Sequence, residues 1–65
     1  MPKSYSSHEL IRIATDHGWT LDRIKGSHHL FTHPTRPGLV NIPHPRKDIP
    51  IGTARSILRQ IGAAG

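Results

Sequence analysis

The chain has 65 residues, no cysteine, and nine Lys and Arg against four Asp and Glu, for a formal charge of +5 with its six histidines neutral. That length gives one small domain, residues 1–65, with a modest core, and the absence of cysteine excludes both a disulfide staple and a cysteine-based zinc centre. No apolar run approaches the roughly 20 residues that cross a bilayer, and Met1-Pro2-Lys3-Ser4-Tyr5 lacks the apolar segment of a signal peptide, so a soluble, cytoplasmic domain is expected.

Taken in order, Ser6-Ser7-His8-Glu9 forms a capping-box pattern, with Ser6 set to accept from the Glu9 amide while Glu9 reaches back. Leu10, Ile13, Ala14 and His17 follow at helical spacing and Ile11 widens the stripe, which predicts a helix over Ser7 to His17 ended by Gly18. Trp19 to Ile24 reads as a strand, Lys25-Gly26-Ser27 as a hairpin turn, and His28 to His33 as a second strand. Alternation places His28, Leu30 and Thr32 on one face of that strand and His29, Phe31 and His33 on the other.

Pro34-Thr35-Arg36-Pro37-Gly38 makes a longer turn, and Leu39-Val40-Asn41-Ile42 a short third strand stopped by Pro43. His44-Pro45-Arg46-Lys47-Asp48 is a basic connection, with Asp48 placed to cap the next helix and Pro50 in its first turn. Ala54, Ile57, Leu58 and Ile61 give that helix an apolar stripe ending near Gly62, and Ala63-Ala64-Gly65 reads as a frayed tail. The order α-β-β-β-α closes as an α+β fold, a three-stranded antiparallel meander with both helices on one face.

The excess of positive charge favours nucleic acid or an acidic protein as partner. Within it, Lys25-Gly26-Ser27-His28-His29 brings two imidazoles, a lysine and the amides of a glycine turn into one short stretch. Histidine exchanges protons near neutral pH, as cleavage of RNA through its own 2′-hydroxyl requires, and cations or amides can hold the phosphate. The bland reading, a solvated histidine at a strand start, weighs about equally on these residues alone. Four histidines (His28, His29, His33 and His44) also raise zinc, but strand neighbours point to opposite faces and no thiolate is available, so no metal or other cofactor is expected.

Gly26-Ser27-His28-His29-Leu30-Phe31 followed by His33-Pro34, together with Gly52-Thr53-Ala54-Arg55-Ser56-Ile57-Leu58-Arg59-Gln60, resembles the HicA toxin family, the small ribonucleases of toxin–antitoxin pairs. The resemblance implies a fold like the double-stranded-RNA-binding domain, endonucleolytic cleavage of mRNA, and neutralisation by a HicB-like antitoxin. It also implies that His28, directly after Gly-Ser, is the catalytic histidine. Lys25, Gly26 and Ser27 are then its phosphate-holding neighbours, and His29 a packing or orienting one. Arg55 and Arg59, one turn apart on the second helix, and Arg46 and Lys47 before it are candidate RNA-backbone contacts, with a solvated helix face as the plain alternative. Trp19 reads as packing at the helix–sheet junction, and His33 and His44 as exposed polar residues. The rival reading of the whole is a non-catalytic RNA-binding or antitoxin-interaction module.

Overall fold

A computed structural model describes residues 4–63, with Ala64 and Gly65 of the expected tail outside it. Its elements are β1 (Ser4–Tyr5), α1 (Ser7–Asp16), β2 (Thr20–Lys25), β3 (His28–Thr32), β4 (Val40–Pro43), β5 (Ile49–Pro50) and α2 (Ile51–Ile61). The three-stranded antiparallel sheet runs β2-β3-β4, and the fold is the expected α+β arrangement.

The capping box forms as read, with the Ser6 amide donating to Glu9 Oε1 at 3.0 Å and the Glu9 amide to Ser6 Oγ at 3.2 Å. Both helices stop the same way. Gly18 and Gly62 take φ of +89° and +90°, conformations that cost a residue with a Cβ. Beyond each, the next amide reaches back to the last turn, Trp19 to the Ala14 carbonyl and Ala63 to the Leu58 carbonyl, both at 3.0 Å. These are Schellman closures. Ala63 therefore packs against the core and is not frayed.

Strand register fixes the two faces of the sheet. Phe31 pairs with Val40 and His29 with Ile42, and Phe31, Val40 and Ile42 join Leu10, Ala14, Ala54, Ile57 and Ile61 in one buried cluster. That face is covered by the helices. On the other, Lys25 pairs with His28, His28 with Pro43, and Leu30 with Asn41. Leu30 is buried at 9% exposure yet lies outside the core cluster, as a residue of the open face should. All six residues of β2 are exposed, including Leu21 and Ile24 at 49% and 54%, so the helices stop short of this edge.

Three further expectations change. The β1–β5 pair, Ser4 opposite Pro50 and Tyr5 opposite Ile49, is additional to the meander. Pro50, not Asp48, precedes α2, and no side chain caps that helix; Asp48 accepts instead from Ser4 Oγ at 3.2 Å. Trp19, His33 and Leu39 lie just outside their strands, whereas Lys25 and Pro43 lie inside.

Candidate active site

The hairpin between β2 and β3 has two linking residues, Gly26 and Ser27, with φ of +58° at the glycine and no positive φ at the serine. A two-residue loop with positive φ at its first position only is the type II′ pattern, which glycine supplies without strain. The short turn sets Lys25 directly opposite His28, with both side chains on the open face. Ser27 turns its carbonyl the other way, to the His44 amide at 2.8 Å, which anchors the hairpin tip to the end of β4.

His28 is exposed, and its Nδ1 lies 3.2 Å from Asn41 Oδ1. An amide oxygen only accepts, so Nδ1 carries the proton, and in the neutral ring Nε2 is the nitrogen with the free lone pair. Asn41 was not singled out in the sequence. Its alternation in β4 puts it outward, but its meeting with His28 depends on a register that only the folded sheet supplies.

His29 points to the helix side, half-buried, as its place on the Phe31 face requires. There it meets His44, which in turn meets His8, with ring centroids 4.8 and 5.0 Å apart and edge-to-face geometry in both pairs. His44 Nδ1 lies 2.6 Å from Ser7 Oγ, which also accepts the Arg46 amide at 3.0 Å. The His44 imidazole is held below its ordinary pKa, first by loss of solvent around it and then by the neighbouring His29 and His8. His44 is thus a partly buried member of a three-ring chain, not a free loop residue. His29 Nδ1 is buried without a hydrogen-bond partner among the described residues.

His33 is likewise structural. Its Nδ1 accepts the Thr35 amide at 3.1 Å, so Nε2 carries the proton and donates to the His17 carbonyl at 3.0 Å, with the ring against Trp19. Trp19, at 2% exposure, packs where α1 meets the sheet, and its indole N–H donates to the Ile61 carbonyl at 3.0 Å. Among the described residues no three His, Asp or Glu side chains converge as a metal-holding group.

Lys25, Gly26, Ser27 and His28 are therefore brought together at one tip, and His29 is turned away behind them. Arg46 and Lys47 follow β4 and border a cleft with Ser6, Ser7 and His8 at the start of α1. Arg55 and Arg59 are exposed on α2, on the covered side of the sheet, and do not share the face of His28. A second cleft of about 440 Å³ lies between α1 and the sheet, lined by Ile11, Trp19, Phe31 and the three clustered histidines among others. His28 borders neither cleft. An open strand face suits an extended polyanion better than an enclosed cavity does.

Residues 7–63 match the family model described as the HicA toxin of bacterial toxin–antitoxin. The chain belongs to the HicA toxin family. A HicA toxin is one half of a toxin–antitoxin system, so an antitoxin is its partner. No curated protein matches the chain. No helix among the described residues is long and apolar enough to cross a membrane.

Proposed function

We propose that this HicA-family chain is an endoribonuclease that cleaves mRNA, with His28 as its general acid–base and no metal in the reaction. One observation carries the reading: His28 stands exposed on the uncovered strand face, opposite Lys25 across a two-residue glycine turn. In the reaction the substrate's 2′-oxygen attacks its own phosphorus and the bond to the 5′-oxygen breaks. His28 Nε2 takes the 2′-hydroxyl proton, and the imidazolium so formed, or a water, supplies one to the departing oxygen. A positioned group of this kind contributes roughly 10²–10⁴-fold. Lys25, the amides of the turn and the Ser27 hydroxyl are the groups near enough to stabilise the charge on the phosphate. Arg46, Lys47, Arg55 and Arg59 supply sequence-independent backbone contacts. A HicB-like antitoxin silences the toxin by covering His28 and its basic surroundings, which blocks binding and chemistry together.

The test is His28→Ala on a defined RNA. Cleavage and growth arrest disappear while the thermal melt and RNA affinity stay near wild type, and the wild-type products carry 5′-hydroxyl and cyclic or 3′-phosphate ends. Retained cleavage removes His28 from the mechanism, and 5′-phosphate ends remove the 2′-hydroxyl as nucleophile. RNA binding by wild type with no cleavage at all returns the chain to the non-catalytic reading.

A further inference from the structure

Asn41 occupies an unusual place for its residue type. Asparagine is depleted in strands, where β-branched and aromatic side chains pack better. Yet Asn41 stands inside β4 between Val40 and Ile42, both fully buried on the opposite face. Its own side chain is exposed, on the strand face away from those two. Burial in the core therefore gives no reason for an amide at this position.

Register supplies one. Asn41 pairs with Leu30 and His28 with Pro43, so His28 and Asn41 are diagonal neighbours on the open face. Diagonal neighbours lie about 7–8 Å apart at the backbone, close enough for two medium-length side chains to meet. They do so through His28 Nδ1 and Asn41 Oδ1 at 3.2 Å. Lys25 and Arg23 share this face, Arg23 with Asp22 beside it at 3.7 Å, and the amide is the neutral acceptor of His28.

The geometry points to Asn41 as the positioning residue of the catalytic imidazole, an inference that rests on the reading of His28 as the acid–base group. Asn41 Oδ1 holds the proton on Nδ1, fixes the ring about its χ2 torsion, and leaves Nε2 as the atom that exchanges a proton with RNA. Which nitrogen of a histidine is free is set by the hydrogen bond the other one makes. Asn41 touches no reacting atom in this scheme and acts only through His28. A neutral acceptor steadies the ring without lending it a negative charge, which would favour the imidazolium and move its protonation to higher pH.

The inference is tested with Asn41→Leu, which keeps the approximate shape and removes the acceptor, and Asn41→Asp, which keeps the acceptor and adds charge. Rates are measured on a defined single-stranded RNA beside His28→Ala, and the His28 tautomer is read from imidazole ¹⁵N shifts without RNA. Asn41→Leu lowers kcat by about 10- to 100-fold, part of what a positioned acid–base group contributes, and moves His28 toward a mixture of tautomers. Asn41→Asp keeps the Nδ1–H tautomer and shifts the acid limb of the rate profile to higher pH. Full activity in Asn41→Leu, or a slower enzyme whose His28 tautomer is unchanged, overturns the role of Asn41 while leaving His28 in place. Retained cleavage in His28→Ala overturns the functional reading and this inference with it.

Discussion

Ser7 shows how much one small buried side chain can hold. Its hydroxyl accepts the Arg46 amide and meets His44 Nδ1, while its own amide donates to the Arg46 carbonyl at 2.8 Å. With His44 neutral and its proton on Nε2, the Ser7 hydroxyl donates to Nδ1, so one oxygen satisfies two groups on a loop far along the chain. Ser7→Ala leaves both without a partner and should destabilise the fold by about 1–3 kcal/mol, measured by denaturant titration. A loss well below that range would show that water replaces the hydroxyl at no cost. Gly18 makes a different demand: its φ is +89°, and a Cβ there would lie 2.9 Å from His33 Nε2. Gly18→Ala should cost about 1–2 kcal/mol from the left-handed backbone alone, with a further steric share. His33→Ala in the same chain should relieve the steric share only. Gly18 was legible as a helix stop because glycine announces it; the partners of Ser7 were not, because they lie 37 and 39 residues away.

At the scale of elements, the sequence was most readable where a local rule governs an end. The capping box, both glycine stops and the hairpin turn stand where expected because each is decided by a few adjacent residues. The β1–β5 pair leaves no mark in the sequence since two-residue strands carry no alternation, and Asp48 does not cap α2 because Ser4, not the helix, takes its carboxylate. The histidine chain is hidden from the sequence for the same reason as the Ser7 hub: His8, His29 and His44 come from a helix, a strand and a loop far apart in the chain. It has a measurable consequence. The His44 pKa is lowered in the fold, so the unfolded chain takes up its proton first as pH falls through the ordinary value near 6.5. Stability is then full above that pH and decreases below it, because protons favour the state that binds them. Thermal melts should fall between pH 7.5 and 5. His44→Asn, whose amide oxygen can still receive the Ser7 hydroxyl, should flatten that slope; an unchanged slope would assign the effect to other groups.

The whole molecule separates its positive charge. Lys25 and Arg23 stand with His28 on the open face, whereas Arg55 and Arg59 belong to α2 on the covered side. Under the proposed function, an RNA strand bound for cleavage contacts the first group and reaches the second only by wrapping around an edge of the domain. Sequence could not reveal this, since basic residues in strands and helices look alike until topology assigns them faces. Salt dependence distinguishes the two arrangements. Each phosphate contact on a single strand contributes about 0.7 to the slope of log affinity against log salt. Arg55→Gln with Arg59→Gln should lower that slope by roughly 1.4 if both residues grip RNA, with affinity reduced similarly for unrelated sequences. The same pair of substitutions should leave single-turnover cleavage at saturating RNA unchanged, because neither residue faces His28. Lys25→Gln should reverse the pattern, with a slope change of at most one contact and a clear loss in the cleavage step. An unchanged slope in the double variant would remove α2 from the RNA footprint and leave its arginines to the antitoxin or to solvent, and equal cleavage losses in both variants would mean that the two faces act on RNA together.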